Sequence, residues 1–320
     1  MDIGKIRIYK RTLHKSIGFS GIMLMSSLLF YLFFACFDGA VICVDSPGYL
    51  EMNLTREPLY PMFLMLCRFL FGSVSADGYL FFAVLMQSIL AAVAAWSLAA
   101  FLYREFYLSK AVSFLILLIS LAVSLLCRFA ARRGSMYSNS ILTEGLTISC
   151  YLLFFRFLLA YVFKHTKRDL LICAVLTFLM ISTRKQMLFS LILLAFCMFH
   201  ISFREKKWRR GITAVVLCCL GILLCCTALD MGYNYVLRGK AVRHSSDTRF
   251  LTTMAFYTAG RDDSRYIEDK EIQELFLKIY DICEESGYLK ACVKGGGGGR
   301  TASLTLAIIM TTFRSIPCGP

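Results

Sequence analysis

Charge is what this chain has least of. Asp, Glu, Lys and Arg make up 18% of it, against about 25% in an ordinary soluble domain. Apolar residues take their place, at 58%, with a mean hydropathy of +0.65. Histidine is scarce as well. His14, His165, His200 and His244 share no metal-ligand spacing, and none of the fourteen cysteines stands in a CxxC pair, so no protein metal site is expected. Nor do the cysteines form a disulfide framework. Cys150, Cys173, Cys197, Cys218, Cys219, Cys225 and Cys226 all fall inside apolar runs, where a free thiol packs as a small hydrophobe. The net charge of +14 does not mark a nucleic-acid binder, because no basic groove with interleaved aromatics is present. Internal repeats are lacking too.

What is there is a series of continuous apolar runs separated by short basic clusters. Soluble folds have no use for serial runs of about 18 residues or more. Lipid admits only helices or closed barrels, and the runs are continuous rather than alternating, which predicts an all-α integral membrane fold. The first run, Ile17 to about Phe37, exceeds a signal-peptide core and lacks a small-residue cleavage context at Ala35-Cys36. Six more follow at about 79–102, 110–127, 141–163, 169–183, 187–203 and 211–229. Residues 59–71 are apolar but too short to span and carry Arg68, so they read as a helix lying at the interface. With about seven spans and a cytoplasmic N-terminus, fifteen basic residues fall inside and seven outside, as positive-inside topology requires. The expected localisation is therefore the cell membrane, multi-pass, with the N-terminus cytoplasmic. Arg156, within the fourth span, reaches the inner face by snorkelling.

Three regions are expected: a transmembrane domain over 1–229, an outer segment over 230–292, and a glycine-rich tail over 293–320. In the second, Ile272, Leu275, Phe276, Ile279 and Tyr280 fall at i, i+3, i+4, i+7 and i+8, one apolar face of a soluble helix. The tail follows five glycines with an apolar run of only half a span, which suggests a truncated or frame-shifted reading of a longer protein.

The densest polar stretch among the early spans is 41–61, VICVDSPGYLEMNLTREPLYP. By the span count, Asp45, Arg56, Glu144 and Arg184 all come to the outer membrane face. Four residues of mixed sign at one level predict a polar cavity opening outward. Arg128, Arg132 and Arg133 lie on a short outer loop against the orientation bias, and a guanidinium fork suits phosphate. Asn53-Leu54-Thr55 is a glycosylation sequon, a triplet that chance produces often.

One span, then Asp45-Ser46-Pro47-Gly48-Tyr49, then Arg56-Glu57-Pro58-Leu59-Tyr60-Pro61 resembles the GT-C class of polytopic glycosyltransferases. The likeness is to bacterial members related to protein O-mannosyltransferases and aminoarabinose transferases. Thr143-Glu144 and Thr183-Arg184-Lys185 look like two further family motifs, with Lys185 in place of a proline, and Ser46 stands where the family often has a second acid. The likeness covers about residues 15–230. It implies transfer of a sugar from a polyprenyl-phosphate donor to an outer-face acceptor, whether lipid, polysaccharide or protein. Asp45 would be the base or acceptor binder, Arg184, Arg132 and Arg133 would hold phosphate, Glu144 and Arg56 would shape the pocket, and Tyr49 and Tyr60 would line it. No cofactor is expected beyond the lipid-phosphate sugar as donor substrate, and a divalent metal stays open. The competing readings are a transporter or flippase of a lipid-linked or anionic solute, and a catalytically inactive membrane scaffold.

Overall fold

The computed structural model describes residues 3–72, 78–130, 134–206, 208–244, 256–285 and 289. Arg132, Arg133 and the tail over 293–320 lie outside them. The chain divides into two compact units, Met1–His244 and Ser245–Pro320. The first unit thus runs past the boundary expected at 229.

In that unit every expected apolar run is helical. The helices are α1 (Ile3–Asp38), a short α2 (Ser46–Leu50), α3 (Leu59–Phe71), α4 (Gly78–Glu105), α5 (Lys110–Ala130), α6 (Glu144–Lys164), α7 (Lys167–Thr183), α8 (Leu188–Arg204) and α9 (Trp208–Arg238). Five candidate membrane-crossing stretches are long and apolar enough on their own: Gly18–Asp38, Gly78–Glu105, Glu144–Lys164, Lys185–Arg204 and Trp208–Arg238. The protein is therefore an all-α, multi-pass membrane protein. The α3 helix begins and ends where the sequence placed an interfacial helix. Tyr60, Leu64 and Cys67 are buried, whereas Met65, Leu66, Phe69 and Leu70 are exposed.

The centre of the bundle is α4, half buried along its apolar window, whereas α9 is only 6% buried along its own. Small residues explain the position of α4. Ala91, Ala92, Ala95, Ala99 and Ala100 are all fully buried and pack with Met23 and Tyr31 of α1 and Leu117 and Leu121 of α5. In lipid, helices gain from close van der Waals approach rather than from apolar burial, and a row of alanines permits it. Ser27 Oγ donates to Ala92 O at 3.0 Å, and Trp96 Nε1 donates to Ser20 O at 2.8 Å. A second cluster joins α6, α7, α8 and α9 through Phe154, Cys173, Met180, Leu194 and Ile222.

The helix ends gather at two levels. At one level α1 closes on Gly39, whose φ of +62° is the left-handed conformation that terminates a helix without strain in glycine. Asn139 Nδ2 satisfies the last carbonyls there, donating to Phe34 O at 2.9 Å and Gly39 O at 3.0 Å. Val41 N–H donates to Asn139 O and Ile141 N–H donates to Val41 O, each at 2.9 Å. An ion pair joins Asp38 to Arg128 in the last turn of α5. At the opposite level Lys164 pairs with Glu105 at 2.6 Å, and Arg156 lies 3.8 Å from Asp169. The Arg156 guanidinium reaches towards Asp169 in the first turn of α7 and lies 3.9 Å from the ring centroid of Phe157.

In the second unit, α10 (Lys270–Glu285) folds its expected face inward. Ile279 and Tyr280 are buried with Cys283 and Leu289, and Leu275, Phe276, Phe256 and Ala259 pack around them. Ile272, the first residue of that face, stays exposed.

Candidate functional site

Asp45, Tyr49, Arg56, Tyr60, Glu144 and Arg184 all lie at the level of Gly39, where the loop over 41–58 folds back onto the helix ends. Ser46 anchors that loop. Its hydroxyl donates to Ile141 O and accepts from Cys43 N–H, both at 2.8 Å, and it is fully buried. Its neighbour Asp45 then faces solvent, with 63% of its side chain exposed.

Arg56 binds Asp45 through Nη2 to Oδ1 at 2.6 Å, and its Cζ lies 4.6 Å from the ring centroid of Tyr49. Gly48 makes this possible, because a Cβ there would stand 2.7 Å from Arg56 Nε. With Asp45 so exposed, the pair contributes at most about 1 kcal/mol; it orients rather than stabilises. Burial works to lower the pKa of Arg56, but the Asp45 hydrogen bond and the negative charges of Asp45 and Glu57 outweigh it and leave it raised. Burial likewise raises Tyr49, against the pull of the Arg56 charge and a hydrogen bond with Thr143. Tyr49 therefore stays a neutral phenol and Arg56 a fixed cation.

Beneath them Tyr60 is fully buried and meets Tyr49 edge to face, centroids 5.2 Å apart. Its hydroxyl donates to Gln87 Oε1 at 3.0 Å, and Gln87 Nε2 donates to Ser138 O at 3.0 Å. Gly145 lets α6 approach this amide, since a Cβ there would lie 2.7 Å from Gln87 Cδ. One chain of contacts thus fixes Tyr49, α3, α4 and the start of α6 together.

On the far side, Arg184 leaves the end of α7 in extended backbone and pairs with Glu144 Oε1 at 2.9 Å; its Nε donates to Gln186 Oε1 at 3.2 Å. Both partners are partly exposed, at 39% and 30%. Glu57 Oε1 accepts from Lys185 N–H at 3.4 Å, tying the two halves together.

The sequence reading missed Glu57, Gln87 and the end of α9. Asp230 and His244 form a buried pair, Nδ1 to Oδ2 at 2.5 Å, and Asp230 feels the charge of Lys185. Asn234 Nδ2 donates to Asp230 Oδ1 at 3.1 Å and to Val242 O at 3.0 Å, while Arg238 reaches Met52 O. Glu57 sits within the quoted motif and was legible there. Asp230, Asn234 and Arg238 stand four residues apart on one face of α9, a spacing that was legible. The contact of Arg238 with Met52 joins distant sequence and left no local signal. Of the three arginines, Arg128 pairs with Asp38, and Arg132 and Arg133 lie outside the described residues. A shallow cleft beside Tyr49 is lined by Leu50, Met52, Leu64, Met65, Arg68 and Tyr79.

Chemically, the arrangement offers one solvent-facing carboxylate whose Oδ2 accepts no hydrogen bond among the described residues. Beside it are the guanidinium groups of Arg56 and Arg184, each paired with a carboxylate. Among the described residues, no group of His, Cys, Asp and Glu is placed to hold a metal ion. No protein-family model matches the chain, and no curated protein or solved structure shows significant similarity to it.

Proposed function

We propose that the protein is a membrane glycosyltransferase of GT-C type, moving a sugar from a polyprenyl-phosphate donor to an acceptor at the extracytoplasmic face. The observation that carries this reading is the convergence of Asp45, Arg56, Glu144 and Arg184, from three separate stretches of sequence, into one partly exposed charged rim. Asp45 Oδ2 would take the proton of the acceptor hydroxyl as its oxygen bonds to the anomeric carbon. The bond from that carbon to the phosphate oxygen breaks, and the lipid phosphate leaves with the electron pair. Arg184, with Nη2 unengaged among the described residues, would hold that charge, and a guanidinium does so without a metal. Arg132 and Arg133 are proposed as further phosphate contacts. Tyr49 and Tyr60 give the rim a rigid aromatic floor, and the cleft beside Tyr49 offers apolar walls.

The proposal includes seven crossings with the N-terminus in the cytoplasm of a cell-membrane protein. Support comes from the two levels of helix ends. Glu144 and Arg184 meet at one, Lys164 and Glu105 at the other, so α5 and α7 run between the same two levels as the longer helices. Their 21 and 17 residues lie in the range of about 17–25 that spans a bilayer. The test is to incubate purified protein with labelled polyprenyl-phosphate sugars and follow release of sugar from the lipid. The reading expects turnover with at least one donor; no loss from any of a broad panel, with folded protein, would sink it.

A further inference from the structure

The level opposite the rim holds a second charged cluster that this chemistry does not use. It is built where the end of α4, the end of α6 and the start of α7 meet. Arg104, Arg156, Lys164, Lys167 and Arg168 bring five cations there, and Glu105 and Asp169 two carboxylates. Lys164 uses Glu105. Asp169 is divided, since it hydrogen-bonds Thr166 at the start of α7 and stands only within 3.8 Å of Arg156. Arg104, Lys167 and Arg168 have no ion-pair partner among the described residues.

Arg156 is the unusual member. It lies eight residues before the end of α6, about 12 Å inward along the helix. Phe157 and Phe101 flank its guanidinium at 3.9 and 5.2 Å, and Nε and Nη1 are buried without a hydrogen-bond partner. The charges of Arg104 and Arg168 act on it with the same sign. A cation at this depth is costly unless an anion meets it, and two carboxylates do not balance five cations.

We propose that this cluster is a binding site for the phosphate headgroup of an anionic phospholipid, seated between α4, α6 and α7. Basic pockets between membrane helices recognise such headgroups through charge-assisted hydrogen bonds. The aromatic rings beside Arg156 give the first part of the acyl chains an apolar wall. Exposed Phe106 and Phe163, in edge contact at 5.2 Å, extend that wall at the same helix ends. The inference is independent of the glycosyltransferase reading and of which leaflet holds the site.

The test uses the full chain, purified in neutral detergent and delipidated. Phosphatidylglycerol, phosphatidylcholine or inorganic phosphate is then added, with retained lipid counted by native mass spectrometry and Tm followed. Phosphatidylglycerol should stay bound and raise Tm, and the other two should do neither. Because R156Q removes a packed side chain and can fail to fold, the decisive variant is R104Q/R168Q, both exposed. It should weaken phosphatidylglycerol binding by roughly tenfold or more, as expected for two cations near a headgroup. R209Q/R210Q, the same loss of charge at the start of α9, should bind as the parent does. Equal retention of phosphatidylcholine, stabilisation by inorganic phosphate alone, unchanged binding in R104Q/R168Q, or equal loss in R209Q/R210Q would each overturn the site.

Discussion

A carboxylate held by an arginine through one oxygen still presents the other to solvent. Asp45 is in that position: Arg56 occupies Oδ1, and the side chain stays 63% exposed. Asp45→Asn keeps the volume and an oxygen for Arg56 but removes the proton acceptor. On the proposed chemistry, transfer should drop by roughly a hundredfold or more, the low end for loss of a general base, with expression and Tm unchanged. Near-parental turnover would show that Asp45 is not the base. Tyr49 offers a test that needs no substrate. Burial raises its pKa, so the neutral phenol's stabilising contribution is complete below the unfolded value of about 10. It is lost as pH climbs through the raised folded value. The parent should therefore lose stability faster as pH rises above about 10 than Tyr49→Phe, which has no proton to lose. Parallel curves would refute the assignment. These two residues, with Arg56, could be singled out from the sequence because a polar stretch among apolar runs stands out. The buried amide of Gln87 could not, because one polar residue inside a helix carries no sign of the three elements it joins.

Among the elements, the joint between α4 and α6 sets the rim. Gln87 is held by Tyr60 and Ser138, so it cannot move aside for a Cβ at Gly145. Gly145→Ala should cost about 1–3 kcal/mol by overpacking and shift Glu144, its immediate neighbour, away from Arg184. Gly221→Ala in α9, where a Cβ meets nothing within 4 Å, should instead be neutral or slightly stabilising, since alanine favours helix. Thermal unfolding of the two variants side by side reads this directly, and equal Tm values would mean that the joint is not tight. Helix positions were legible for a simple reason: each apolar run is bounded by charge, and the α3 pattern of exposed and buried residues matches its place at an interface. The end of α9 was not. A hydropathy reading stops at Asp230, whereas the helix continues to Arg238 because Asn234 and His244 satisfy that carboxylate. A buried charge with its own donors extends a helix that hydropathy would end.

For the whole molecule, the question is how many times the chain crosses. Length and apolarity alone give five crossings, and these would put the junction of α6 and α7 on the same side as the loop holding Asp45. The contacts favour the other count. The backbone pairing of Val41 with Asn139 and Ile141 places the end of α5 with the Asp45 loop. The Lys164–Glu105 pair places the end of α6 with the end of α4. On the proposed seven-span count a crossing α5 meets the first condition, and a crossing α7 brings Arg184 back to Glu144. Three cysteine substitutions separate the counts, in a background with accessible native cysteines such as Cys36 and Cys225 replaced. Glu51→Cys should react with an impermeant thiol reagent in intact cells. Lys167→Cys and Arg209→Cys should react only after the membrane is opened. Labelling of Lys167→Cys in intact cells, with Glu51→Cys also labelled, would favour five crossings and dismantle the two-level arrangement of charges. Labelling of Arg209→Cys but not Glu51→Cys would invert the protein and place the Asp45 rim in the cytoplasm, where an extracytoplasmic transfer could not occur.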